Sequence, residues 1–466
     1  MKNHPSTEGL PEHFKNISLL SLTALTAIGV YLVRAQIFVF GSRAGNWIYP
    51  YSNCPAPIPL WLPFTVLPLL ILWVIFGSRL ITRHELPALA ASFCCALAIQ
   101  LLTHAIYPIP IGAIVTSDRA NSFYTPALRH TFIEILSRFP DLVSTFPLHA
   151  STNMPGKIIL YQFLLLFTGS HRGLAWLIIA ISTLGGILLY LICKQLFHDR
   201  SVAFAAFVLY SLIPGKLVFF PILNVVTPLF ILAAFYCLLR YLADKNGLWL
   251  ILLGVAVYAT IFFDPTPLTV GFIFLAFPFH ALADGHLTRR QFRAVFCLPI
   301  AAFLVTHILM KTVFSFDVFQ SFFIVLQDSI AFNARVNRGY RVWILENLKE
   351  FLFAAGIPVS AVFLCQSVAA LFPFIRDRQR WKRIPPNHLL TLSTLLTILV
   401  VALIGINRGE VTRLWIYLAV FLQIPAAVFL ARSLGSAKKP VYLLWFALLL
   451  LVQSITALQC VLFVQV

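Results

Sequence analysis

Residues 248–282 read LWLILLGVAVYATIFFDPTPLTVGFIFLAFPFHAL, two apolar runs (248–263 and 266–282) joined by a short break that carries the stretch's single acidic residue, Asp264. A helix in a water-soluble core keeps a polar stripe toward solvent. Neither run has one, so lipid must solvate both. Runs of this kind recur along the whole chain, at 17–40, 58–76, 87–107, 157–169, 174–193, 201–220, 223–241, 248–263, 266–282, 294–313, 350–373, 388–405, 414–431 and 440–464. A bilayer core takes about 20 apolar residues per helical crossing, and we expect about thirteen crossings. The expected fold is an all-α polytopic transmembrane bundle. Residues 1–466 form a single integral membrane domain with no separate soluble domain.

Composition points the same way. Hydrophobic residues make up 60% of the chain and charged residues 11%, with a mean hydropathy of +0.89, whereas a soluble domain carries about 25% charged residues. The net charge of +18 does not indicate nucleic-acid binding. Many of the basic residues sit in short connections: Arg79 and Arg83; Arg289, Arg290 and Arg293; Arg376, Arg378, Arg380, Lys382 and Arg383; Lys438 and Lys439. Such loops mark the cytoplasmic face, so membrane lipids are the expected partner and no nucleic acid is. Seven of the eight cysteines fall inside apolar runs, and only Cys54 lies in an expected external loop. Nothing there has metal-ligand or disulfide-framework spacing. A largely polar stretch of sixteen residues precedes the first run without a small-residue cleavage site, so no cleaved signal peptide is expected.

Topology exposes a conflict. Nine runs separate the basic loop at Arg79 and Arg83 from the one at Arg376–Arg383, and an odd number of crossings cannot return the chain to one side. One run is therefore not a full span, or a further crossing lies outside the runs named above. The suspects are 157–169, which is short, and 201–220, which Pro214-Gly215 interrupts. Counting back from the second basic loop puts Asp264, the loop at 314–345 and the loop at 406–413 outside, together with 108–156.

That segment, 108–156, is the longest polar interruption, and a loop of this length seldom serves only to connect. Thr125-Pro126 reads as a helix start. Leu128, Phe132, Leu136 and Phe139 then recur at helical spacing against Arg129, His130, Glu134 and Arg138. The spacing predicts an amphipathic helix over 125–139, lying on the membrane surface or capping the bundle. Before it come Asp118 and Arg119. Asp118 suits a general base at the membrane surface; the alternative is a solvated carboxylate paired with Arg119. After the helix, HASTNMPGK (149–157) returns the chain to the bundle and supplies His149, Asn153 and Lys157. Lys157 either holds a phosphate at headgroup depth or snorkels to anchor its helix. His149 is either a ligand or a hydrogen-bonded structural residue.

Three further features carry charge outside. Asp264 either lines a cavity or caps the following helix. Arg335, Arg338 and Arg341 recur every third residue among Tyr340 and Trp343. They fit a phosphate or diphosphate headgroup, because guanidinium forks match phosphate oxygens, or they anchor the segment at the interface. Asn407-Arg408-Gly409-Glu410-Val411-Thr412-Arg413-Leu414-Trp415 packs three charges into a tight turn ahead of an apolar run. Glu410 and Arg413, three residues apart, are placed to face one cavity.

Together these pieces resemble the glycosyltransferase C superfamily of polytopic membrane enzymes. Its members place an acidic residue in a long first external loop, follow it with amphipathic surface helices, and return to the membrane through a His-Pro-Pro-type segment. Asp118, the 125–139 helix and HASTNMPGK stand in those places. Pro155-Gly156 and the Gly409-Glu410-Val411-Thr412-Arg413-Leu414-Trp415 turn are similar to uncharacterised bacterial members. The chain departs in having a single Asp followed by Arg, no adjacent His-Pro, and two extra spans before the loop. The resemblance implies inverting transfer of a sugar from a polyprenyl-phosphate-linked donor to a glycan or lipid acceptor, at the outer face of a bacterial inner membrane. Asp118 would be the base. Lys157, Arg338, Arg341, Arg408 and Arg413 would neutralise the leaving phosphate, and Glu410 would orient an arginine or bind sugar hydroxyls. No acidic cluster suggests a metal site, so no metal and no cofactor are expected. Two other classes compete: a lipid or solute transporter or flippase, which predicts internal repeats that are not found, and a non-catalytic membrane protein of the same fold.

Overall fold

A computed structural model describes residues 12–50, 58–376, 384–433 and 439–466. Cys54, Arg378, Arg380, Lys382, Arg383 and Lys438 lie outside the described residues, as do the side chains of Arg376 and Lys439. The described chain is mainly helical; Gly41–Ser42 and Trp47–Ile48 are two-residue strands that pair antiparallel, and turns and irregular segments join the helices. Among the described residues, nine helices are long and apolar enough to cross a membrane. A tenth is counted if Tyr340–Ala355 and Ile357–Phe372, bent by 112° at Gly356, form one span. Shorter apolar helices are Ser18–Arg34, Gly156–Leu165, Leu248–Phe263 and Ile416–Ala431.

The 248–282 stretch folds as its pattern dictates. Leu248–Phe263 is one helix, Asp264 is extended, and a 3-10 turn, Thr266–Val270, leads into Gly271–Ala283. Pro265 and Pro267 cannot continue the first helix, which is why it stops there. The centre of the bundle is Arg200–Val218, 94% of whose apolar window is buried; Arg289–Phe314, at 6%, is peripheral and turns its apolar face outward.

Of the two suspects for the odd crossing, the structure favours the shorter. Gly156–Leu165 has ten residues and rises about 15 Å, half of the roughly 30 Å hydrocarbon core. The other, 200–218, is broken before Pro214 but still amounts to a 19-residue span.

Two expectations about the external segments are corrected. Residues 125–139 are not one helix but Tyr124–Arg129, Phe132–Ser137 and Phe139–Leu142. The break falls at His130, because Thr131 caps the next helix: its hydroxyl accepts from Glu134 N–H while the Glu134 carboxylate returns to Thr131 N–H. That reset changes the helical phase. Leu136 and Phe139 are buried as expected, whereas Leu128 and Phe132 are exposed. Residues 314–345 are not a loop either. Asp317 caps a helix over Val318–Arg335, and another begins at Tyr340.

The short return helix is pressed against Leu248–Phe263. A Cβ on Gly156 would lie 2.5 Å from the Phe262 carbonyl oxygen and 2.8 Å from Phe263 Cα, both backbone atoms. Gly156→Ala is therefore expected to destabilise the protein by about 1–3 kcal/mol, read as a lowered thermal midpoint in detergent. An unchanged midpoint would contradict this close approach.

Candidate functional site

A cavity of about 260 Å³ gathers residues from segments far apart in sequence: Asn121, His149 and Asn153 from the 108–156 segment, Asn224, Asp264 and Thr269 from the helix breaks, Arg338, and Arg408, Glu410 and Arg413 from the late turn. Phe322, Leu326, Phe332, Val401, Ile404 and Ile406 complete its apolar wall.

The late turn is built for close approach. Gly405, Gly409 and Glu410 all have left-handed backbones, at φ +62°, +82° and +61°. Only glycine fits at 409, where a Cβ would come within 2.8 Å of the Trp343 ring. Asn347 fixes the turn from the neighbouring helix, donating to the Asn407 carbonyl at 2.7 Å and accepting from Gly409 N–H at 3.0 Å. Glu410 tolerates a conformation that costs a non-glycine residue about 1 kcal/mol or more, and its charge contacts are what hold it there. Its carboxylate lies between Arg338, at 3.1 Å, and Arg413, which also donates to it. Burial pushes the Glu410 carboxyl up, but the Arg413 and Arg338 guanidiniums pull harder, and it ends below the usual carboxylate range.

The arginines are held in different ways. Arg338 and Arg408 clasp each other's backbone, Arg338 donating to the Arg408 carbonyl at 2.6 Å and Arg408 to the Arg338 carbonyl at 2.8 Å. Arg338 also stacks 4.8 Å from Trp47 and 5.4 Å from Phe332. Arg408 pairs with no carboxylate among the described residues; its remaining bond is to the Gly405 carbonyl. Arg413 reaches His149 Nε2 at 3.4 Å. Burial, with the Arg413 charge added, lowers the His149 imidazole to about 3. The ring is therefore neutral at physiological pH, and its Nε2 accepts from arginine.

Behind the opposite wall, Lys157 is 1% exposed and donates to Asp264 at 3.0 Å and to Asn153 Oδ1 at 2.7 Å. Asp264 also accepts from Thr227 at 3.1 Å and from Thr266 N–H at 3.1 Å. It thus accepts the first N–H of the following 3-10 turn and also lines the cavity, while the N-cap position itself is Pro265 and has no side-chain cap bond. Burial raises its carboxyl, and Lys157 with the Thr266 bonds outweighs that and leaves it lowered.

Of the residues singled out in the sequence, His149, Asn153, Asp264, Arg338, Arg408, Glu410 and Arg413 share the cavity. Lys157 neither snorkels nor lines it; it braces Asn153 and Asp264 from behind. Asp118 and Arg119 are exposed and outside the lining, with Ala120 the nearest lining residue in sequence. Arg335 pairs with Asp328 at 2.7 Å, and Arg341 is exposed; neither reaches the cavity. The three-residue spacing fails because 335 ends one helix and 341 lies in the first turn of the next, which leaves Arg338, in the turn between, as the one of the three that lines the cavity. Asn121, Asn224 and Asn347 were not singled out, since lone amides carry no spacing signal. Among the described residues no three His, Cys, Asp or Glu side chains are grouped as a metal site.

The Lys157–Asp264 pair yields a sharp expectation. Lys157→Met leaves a buried carboxylate unpaired and should cost about 3–5 kcal/mol. Adding Asp264→Asn should restore much of the loss, as read from thermal midpoints of both variants. A double variant no more stable than Lys157→Met would show that the ion pair is not what holds this wall.

No family model matches this chain, and no curated protein matches it.

Proposed function

We propose that the chain is a membrane glycosyltransferase of the glycosyltransferase C type, transferring a sugar with inversion from a polyprenyl-phosphate-linked donor to a glycan or lipid acceptor at the outer face of a bacterial inner membrane. The observation that carries this reading is the amphipathic cavity. Arg338, Arg408 and Arg413 stand in the same cavity as the apolar side chains of Phe322, Leu326, Val401, Ile404 and Ile406. A lipid phosphate asks for both surfaces at once. In the transfer, the acceptor oxygen attacks the anomeric carbon as the bond to the phosphate oxygen breaks. Negative charge grows on the leaving phosphate, and fixed guanidiniums meet that demand without reorganising. Arg408, with no carboxylate to satisfy, and Arg413 are the donors we assign to it. No metal is required on this account.

The proton of the acceptor hydroxyl needs a base. Asp264 and Glu410 are committed to cationic partners. Asp118 forms no ion pair among the described residues and lies two residues from the cavity-lining Ala120. We retain Asp118 as the base, acting from the edge of the loop. A total of about thirteen crossings belongs to the same proposal; it requires several of the shorter apolar helices to count as spans. The break and bend at Pro214 and Gly356 also suit a lipid flippase, and loss of transfer in an otherwise intact variant separates the two.

Asp118→Asn should lower transfer by about 100-fold or more with an unchanged thermal midpoint. Unaltered transfer would remove Asp118 from the reaction. Arg408→Gln and Arg413→Ala should each weaken thermal protection by added polyprenyl phosphate, with about tenfold more lipid needed for the same shift. Equal protection in both variants would take the arginines out of the site.

A further inference from the structure

Beside its charged wall, the cavity is lined by amides. Asn121 is 1% exposed and lines the cavity. Its Nδ2 donates to the Tyr161 hydroxyl, and Tyr161 in turn donates to the Val115 carbonyl at 3.3 Å. That chain fixes which way the amide points, because the phenol proton is already committed. What remains is Oδ1, a buried acceptor with no hydrogen-bond partner. Asn224, 8% exposed on the single turn Leu223–Val225, lines the same cavity. Its amide makes no side-chain hydrogen bond among the described residues. Other amides in the lining have partners: Asn153 holds Lys157 and the His149 carbonyl, Asn333 donates to the Ile406 carbonyl, and Asn407 Oδ1 accepts from Trp415 Nε1–H.

The chemistry of an orphan acceptor is selective. Oδ1 needs a donor, and a phosphate dianion offers only acceptors, so the arginine ligand cannot satisfy it. A hydroxyl both donates and accepts, and carries no charge that would have to be neutralised near Asp264. We infer that Asn121 and Asn224 form a neutral subsite for the hydroxyl-bearing, uncharged part of the ligand. On the proposed function, on which this inference rests, that part is the donor's pyranose ring. Tyr161 then acts as a positioning residue for Asn121.

Binding to the full-length protein in nanodiscs tests this, with a polyprenyl phosphate as one probe and the mannosyl, glucosyl and galactosyl phosphodiesters of the same lipid as the others. The wild-type protein should prefer at least one sugar-bearing probe. Asn121→Leu and Asn224→Leu should each weaken that probe by about tenfold and leave bare lipid phosphate within about twofold. Asn224→Ser serves where the leucine variants fail to fold, and should lose the same preference. Variants that weaken both probes equally, or neither, overturn the subsite. Wild-type binding of the bare lipid phosphate with no sugar preference overturns the subsite alone, whereas binding of no probe overturns the proposed function as well.

Discussion

A charge enclosed by a lipid-solvated bundle must find its partner inside the protein, and the Lys157–Asp264 pair is where this chain meets that demand most fully. The two residues are 107 positions apart in sequence and 3.0 Å apart in space. Their contact ties the short return helix to the break between two apolar helices. The 108–156 segment ahead of Lys157 is thereby seated on the bundle, and Asn153 and His149 share a cavity with the late turn. Removing the charge from either partner leaves the other buried alone, which is far costlier than the pair itself.

The late turn solves the same problem in another way. Glu410 occupies a left-handed backbone with a guanidinium on each side, and Asn347 and the Trp343 ring leave the turn little freedom. Part of the cationic charge is therefore spent on structure: Arg338 is stacked, clasped to Arg408 and paired with Glu410. Arg413 is shared between Glu410 and the neutral His149. Arg408 is the arginine of the three without a carboxylate partner among the described residues. On the function proposed above, this arrangement would offer fixed positive charge to a phosphate and apolar side chains to a hydrocarbon.

Much of the architecture was legible in the sequence. The apolar runs announced the helices, and the parity of the basic loops left 157–169 and 201–220 as suspects for a run that does not cross. Asp264, Arg338 and the 406–413 turn were expected on the same side as residues 108–156, and the cavity brings them together with Asn121, His149 and Asn153. Where reading failed, a local signal had been missed or did not exist. Thr131-Phe132-Ile133-Glu134 is a capping box in plain view, and it splits the helix that hydrophobic spacing alone had made continuous. The arginine triplet at 335, 338 and 341 had a regular spacing but no regular helix beneath it. Asp118 was prominent because of its residue type, yet it is exposed, while Asn121, three residues on, is buried in the cavity wall. Amide orientation depends on a tertiary chain through Tyr161 that no local pattern encodes.

The account stands or falls on where a lipid phosphate sits. A structure of the protein in lipid nanodiscs with bound polyprenyl phosphate is the most direct measurement. It should place the phosphate within hydrogen-bond reach of Arg408 and Arg413, with the prenyl chain running along Phe322, Leu326 and Ile404. A phosphate on the outer surface beside Arg119 or Arg341, with this cavity empty, would contradict it.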